Sequence, residues 1–331
     1  MHISESSRAA VIQPRSTLSD TALQTVAPVR WHRPLLWVAA AMAVLTVAAL
    51  VLRFVDAREV TGLNAWDKPL KFAISTLIYC VTWSWLIGQV TRFTRISRAC
   101  GTVIALALAI ELALITGAAA FGTTSHFNVS SPTATVVWSV MGTSITVLWL
   151  ATFVVSVVLI VSPLGDRARA VAIRTGAVIA LLGLGLAYLM TGPTAQQLDD
   201  FQGIAGAHTV GLPDGGAGLP ILGWSTVSGD LRIPHFIGMH ALQALPLLLI
   251  ALELLSRRVA VLRSVAVRTG LVWTGAAGYL AVVGLVTWQA LRGQSIVQPD
   301  VATLVSGAAL VLAMAVSTLV VLARGARVPS Q

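Results

Sequence analysis

The chain has 331 residues, 56% of them hydrophobic and only 11% charged, and its mean hydropathy of +0.84 excludes an ordinary soluble domain. The net charge of +9 does not make a nucleic-acid footprint, because the basic residues fall into short clusters between apolar runs and read as a membrane-topology signal. No phosphate-binding glycine loop, zinc-protease helix motif or nucleophile elbow occurs in a suitable context, so neither nucleic acid nor a nucleotide is expected as a partner.

Residues 1–33 begin with a polar, Ser- and Thr-containing stretch that reads as a flexible cytoplasmic tail. Eight apolar runs follow, at 34–53, 69–90, 99–120, 134–162, 172–192, 234–254, 269–290 and 301–323. Each is near the roughly 20 residues a helix needs to cross a bilayer. The runs are continuous and rich in Leu, Ala and Val, without the alternation of barrel strands, so the expected class is all-α: one polytopic membrane domain over 34–323. Residues 324–331 are a second short tail.

Arginine and lysine resist translocation and mark the cytoplasmic side. Sixteen of the 22 lie in the N-terminal tail, after the second, fourth and sixth spans, and at the C-terminus. Arg53, Arg58, Lys68, Lys71, Arg232 and Arg292 are left for the other side. Both termini are therefore expected in the cytoplasm, which agrees with an even number of spans, and the expected setting is a plasma (inner) membrane with lipid as the surrounding partner. The only long external connection, 193–233, carries "GLPDGGAGLP", which favours turns and suits a cap over the bundle. His208 in this loop could join a site, but it is read as a solvated loop histidine in preference. Cys80 and Cys100 fall at different depths, so no disulfide is expected.

Polar residues gather at the outer ends of the spans. "NAWDKPLKF" (64–72) opens the second span with Asp67, Lys68 and Lys71; Glu111 lies within the third, and "FGTTSHFNVSSP" (121–132) carries His126 and Asn128. "GDLRIPHFIGMHALQALP" (229–246) opens the sixth with Asp230 and Arg232, followed by His235, His240 and Gln243. At about 100° per residue, a continuous helix places Arg232, His235, His240 and Gln243 on one face. Such a face belongs toward the bundle interior, since each polar group facing lipid costs a few kcal/mol. Depth arithmetic also brings Lys71 and Glu111 within reach of each other. Trp66, Trp224 and Trp288 read as interfacial anchors.

The stretches "KPLKF", "SHFN" and "GDLRIPHFIGMHALQ" together resemble a group of uncharacterised bacterial polytopic membrane proteins. That resemblance implies a shared site and carries no assigned chemistry. The chain lacks the repeated acid-plus-histidine helix motifs of the haem A synthases. It is similar to the membrane zinc amidohydrolases of the ceramidase and adiponectin-receptor type in its outer polar clusters, but His235 and His240 stand five apart, about 140° around a helix, a poor chelate.

Three function classes remain. The first is a haem b or transition-metal protein with His126 and His240 as ligands, His235 in reserve and Arg232 on a propionate. The second is a transporter of a small polar solute or ion. The third is a membrane-embedded hydrolase or transferase. In each, the surrounding polar site comprises Asp67, Lys71, Glu111, Asn128, Asp230 and Gln243, and a small-molecule ligand is the expected partner.

Overall fold

The computed structural model of the chain describes residues 29–327. Most of the expected N-terminal tail, residues 1–28, and the last four residues lie outside the described residues. Among the described residues the fold is helical apart from two pairs of very short strands. Helix α1 (Arg33–Val55) leads through a hairpin, β1 (Glu59–Val60) and β2 (Leu63–Asn64), into α2 (Asp67–Gln89), α3 (Thr94–Ala120) and α4 (Pro132–Val161). Helix α5 (Arg167–Gly185) tightens into a 3₁₀ turn over Leu186–Met190. A long connection holds the short α6 (Ala195–Asp199) and the antiparallel strands β3 (Thr209–Val210) and β4 (Gly229–Asp230). Helices α7 (Arg232–Met239), α8 (Ala241–Leu255), α9 (Val265–Leu291) and α10 (Val301–Ala326) complete the chain.

Helix starts are set by local chemistry. Ser131, Asp166, Ser264 and Asp300 each accept a hydrogen bond from the backbone N–H three residues on, and Pro34 and Pro132 occupy first-turn positions where a missing N–H is harmless. Seven of the described helices are long and apolar enough to cross a membrane, and eight spans result if the bent pair α7–α8 counts as one. This is the make-up of a multi-pass membrane protein.

The sixth apolar run is not the continuous helix its composition suggests. It breaks at His240, and α7 and α8 meet at a 45° bend. At His240 (φ −82, ψ 0) the regular hydrogen-bond pattern is interrupted, its N–H being shared between the Phe236 and Ile237 carbonyls. Pro246, one and a half turns on, further weakens the start of α8, because it has no N–H for the Leu242 carbonyl.

Helices α1 and α2 pack together, as do α3 and α4; α5 is central, against α7, α8 and α9, while α10 rests on α9. A core of Leu35, Trp83, Leu86, Ile104, Leu148 and Leu159 joins α1 through α4. Lipid tails are as apolar as these side chains, so close packing and inter-helix hydrogen bonds have to hold such a bundle. Tyr79 of α2 and Thr152 of α4 share a hydroxyl hydrogen bond of 2.9 Å. Gly183 of α5 meets Gly238 of α7 so closely that a Cβ on Gly238 would lie 2.5 Å from the Gly183 Cα. Only glycine permits that approach.

Candidate functional site

A cavity of about 810 Å³ lies between α2, α3, α4, α5 and α7, under the 194–224 part of the long connection. Its lining is of two kinds: apolar side chains, among them Leu108, Leu112, Met141, Leu148, Trp149 and Leu184, and a polar set of Lys68, Glu111, His126, His208, Arg232 and His235.

The polar residues form a chain of contacts starting from α2. Lys68 Nζ lies 3.1 Å from Nδ1 of His126, which also meets the Ser125 hydroxyl at 2.9 Å. The other ring nitrogen, Nε2, lies 3.6 Å from Oε1 of Glu111. Glu111 is 3% exposed and its Oε2 has no hydrogen-bond partner among the described residues, an unusual state for a buried carboxyl. Burial pushes the His126 imidazole well below its ordinary value of 6.5, and the neighbouring Lys68 charge lowers it further. The His126 loop is fixed by Phe127, whose left-handed backbone (φ +63) turns its ring into a buried seat against Trp138 (5.1 Å between centroids) and His208 (4.9 Å).

His208 was expected in solvent, and the structure corrects this. The long connection folds inward, so the ring lines the cavity 6.4 Å from that of His126. Its Nδ1 lies 2.5 Å from Oδ2 of Asp214, and no partner is recorded among the described residues for its Nε2. Asp214 also accepts hydrogen bonds from the backbone N–H groups of His208 and Thr209 and from the Thr209 hydroxyl. Burial opposes the charge on this carboxylate, but the hydrogen bonds outweigh it and hold Asp214 well below the usual carboxylate range. Burial likewise lowers His208, although Asp214 pulls the other way. His235 is held similarly, with Nδ1 2.8 Å from the Gly183 carbonyl. That bond places the neutral ring's proton on Nδ1 and the lone pair on Nε2.

Of the residues expected from the sequence, Lys71, Glu111, His126, Arg232 and His235 line the cavity. The others are occupied elsewhere. Asp67 pairs with Arg53 at 2.5 Å, and Asn128 closes its own turn by accepting from the Ser130 N–H and hydroxyl. Asp230 receives Arg232 through both Nε (2.9 Å) and Nη2 (2.5 Å) and the Ser225 N–H at 2.7 Å, and Arg232 also donates to the Gly223 carbonyl. His240, redirected by the helix break, meets Ser75 through Nε2 (3.1 Å) and Gln243 through Nδ1 (3.2 Å), while Gln243 donates to Thr82. Both nitrogens of His240 are thus engaged, Nε2 by Ser75 of α2 and Nδ1 by Gln243, which itself reaches Thr82 of α2. No three of the described His, Cys, Asp and Glu side chains converge closely enough to hold a metal ion.

The contact expected between Lys71 and Glu111 is not made. Lys71 Nζ instead donates to the Leu222 carbonyl at 2.6 Å, and the lysine nearer Glu111 is Lys68, by way of His126. Lys68 and Lys71 are the only lysines in the chain, every other basic side chain apart from the histidines being arginine. Among the described residues neither lies within ion-pair distance of a carboxylate. Trp66, expected as an interfacial anchor, is buried and donates to Asp56 at 2.8 Å, whereas Trp288 is partly exposed with the Arg292 guanidinium 3.9 Å over its ring. Trp224 lines the cavity.

From the sequence, Lys68 is left among the interfacial residues, His208 is set aside in favour of a solvated reading, and Asp214 is not singled out. The spacing "HTVGLPD" in the one long outer loop was the available signal. No family model matches this chain, no curated protein is similar to it, and no solved structure matches its fold.

Proposed function

We propose that the chain is an eight-span inner-membrane protein with both termini in the cytoplasm, whose extracytoplasmic cavity binds an amphipathic molecule with an anionic head. The arginine asymmetry supports the orientation. The clusters at 167–174 and 257–268 belong to one end of the bundle, where Arg268 reaches Asp166 at 3.4 Å. With the native Cys80 and Cys100 replaced, a cysteine at Ser131 is expected to react with an impermeant thiol reagent on intact cells, and one at the exposed Thr94 only after the membrane is opened. The opposite pattern reverses the orientation.

One observation carries the ligand class: two lysines that have no carboxylate partner among the described residues share a cavity with a largely apolar lining, the floor for an alkyl chain. Burying an ammonium is costly unless an opposite charge or strong hydrogen bonds compensate it, and a phosphate or carboxylate head supplies that charge while its alkyl chain fills the floor. Arg232 contributes shape more than net charge, since Asp230 neutralises it. Dodecyl phosphate is the probe. It is expected to raise the melting temperature of protein in nanodiscs and to change the emission of the cavity tryptophans Trp138 and Trp149, with affinity reduced at least about tenfold in K68Q/K71Q. Equal binding of dodecanol or dodecyltrimethylammonium overturns the assignment.

Ligation of haem or a metal by His126 and His240 requires both rings to exchange their present partners, so it is not the favoured reading. Transport has one observation in its favour, the broken α7–α8 helix, because broken helices border the substrate sites of many transporters. Movement of the phosphate amphiphile across proteoliposomes containing the protein, absent from empty ones, would select transport over retention in the cavity.

A further inference from the structure

We propose that His208, oriented by Asp214, is a general base that hydrolyses a phosphoester in the head of a substrate bound in the cavity. This rests on the reading of the cavity as a site for an anionic amphiphile and names the chemistry done there.

Three cavity imidazoles compete for the role, and their partners separate them. His126 has Nδ1 engaged by Lys68 and Ser125, while Nε2 faces Glu111. His235 is backed by a neutral carbonyl. His208 alone has a carboxylate behind Nδ1. That carboxylate is itself fixed by two backbone N–H groups and the Thr209 hydroxyl, so it fixes the tautomer, aims the ring and stabilises the imidazolium formed when Nε2 takes a proton. The arrangement is built by a seven-residue excursion, His208 to Asp214, whose turn is closed by the Thr209 hydroxyl on the Leu212 carbonyl at 2.6 Å.

The phosphoester class follows from the charges. A neutral carboxylic ester brings no negative charge to the two lysines, whose present partners are a ring nitrogen and a carbonyl, and a free carboxylate has no leaving group. A phosphate mono- or diester has both the negative charge and an alcohol to lose. In the step, His208 Nε2 accepts a proton from water as the water oxygen forms a new bond to phosphorus. The bond from phosphorus to the alcohol oxygen breaks, its electron pair stays on that oxygen, and the proton held by His208 passes to it. One water is consumed, and the alcohol and the shortened phosphate are released without oxidation or reduction. Lys68 and Lys71 stabilise charge gathering on the non-bridging oxygens. Glu111, with an oxygen unpartnered among the described residues, is available to hydrogen-bond the attacking water or the head group.

The test uses the full chain in nanodiscs with dodecyl 4-nitrophenyl phosphate, read as 4-nitrophenolate release, alongside binding of dodecyl phosphonate, which has no ester to cleave. Release by the wild type, lowered about 100-fold or more in H208Q and D214N while each still binds the phosphonate, is the expected result. His208→Gln keeps a hydrogen-bonding side chain of similar reach, and retained phosphonate binding shows that the cavity is formed. Undiminished release in H208Q overturns the inference. So does phosphonate binding by a wild type that releases nothing, and in that case the binding reading survives. Failure of the wild type to bind the phosphonate overturns both.

Discussion

Asp230 is 1% exposed and accepts four hydrogen bonds: Arg232 Nε, Arg232 Nη2, the Arg232 N–H and the Ser225 N–H. Its replacement by alanine leaves a mostly buried guanidinium without its counter-charge and a buried backbone donor without an acceptor. Losing one partner of a buried ion pair costs about 3–5 kcal/mol, because the remaining charge stays desolvated. An orphaned buried N–H adds roughly 1–3 kcal/mol. Relaxation of the connection toward water offsets part of this, so the net expectation for D230A is about 3–5 kcal/mol. For a chain of this size that corresponds to a fall in apparent melting temperature of roughly 6–10 °C if unfolding is global. Thermal unfolding in a fixed detergent, followed by near-UV circular dichroism, measures it. The double variant D230A/R232M removes the stranded charge as well and is expected to recover at least half of the loss. A D230A variant within about 1 °C of wild type, or a double variant no better than the single, would refute the view that this pair fastens the cavity roof.

Gly183→Ala is expected to prevent stable assembly, since the added methyl meets the Gly238 backbone, whereas Gly142→Ala, with open space around its Cβ, is expected to be tolerated; yields of monodisperse protein after size exclusion compare them. Stability is also expected to fall on acidification. His126 and His208 have folded values below the ordinary 6.5, so the unfolded chain binds more protons as pH drops through 6.5 toward those values, and stability is lost over that window while staying level above it. Denaturant midpoints from pH 8 to 5 test this. A flatter profile is expected in H208N than in wild type, and a midpoint that rises on acidification would contradict the sign. The charged groups acting on these rings include Lys68, Arg232 and Asp214, with the His235 ring nearby.

Apolar run length located the spans because the bilayer demands it: the second run at 69–90 became Asp67–Gln89, and the fourth at 134–162 became Pro132–Val161. The break at His240 was not legible, since neither glycine nor proline stands there. It depends on what surrounds the chain: the Gly183–Gly238 approach that seats α7 and the Ser75 hydroxyl that holds the His240 ring. Once the helix bends, a wheel drawn through Arg232 and Gln243 no longer describes one face, and His240 and Gln243 turn to α2 instead of the cavity. Lys71 shows a second limit. It and Glu111 both line the cavity, but depth arithmetic, which pairs them, could not show that the 219–223 segment presents the Leu222 carbonyl to Lys71.

His208 shows why the catalytic part of the site was least legible. Helical residues can be read by period, because a face repeats every three or four positions. A loop has no period, and the glycines and prolines that announce its turns say nothing of which side chains it carries inward. The same connection supplies the roof and the dyad, and it is tied down through cavity residues: Arg232 to the Gly223 carbonyl and Lys71 to the Leu222 carbonyl. An anion drawing Lys71 toward its own oxygens therefore competes with the carbonyl that holds the roof. Binding and roof position are coupled through one ammonium group, and K71M removes both terms at once. The expected signature in hydrogen exchange is faster labelling of residues 219–224 in K71M with no further change on adding dodecyl phosphate, whereas in wild type the phosphate alters that segment. An identical response of the two proteins to the ligand would show that Lys71 serves only one of these contacts.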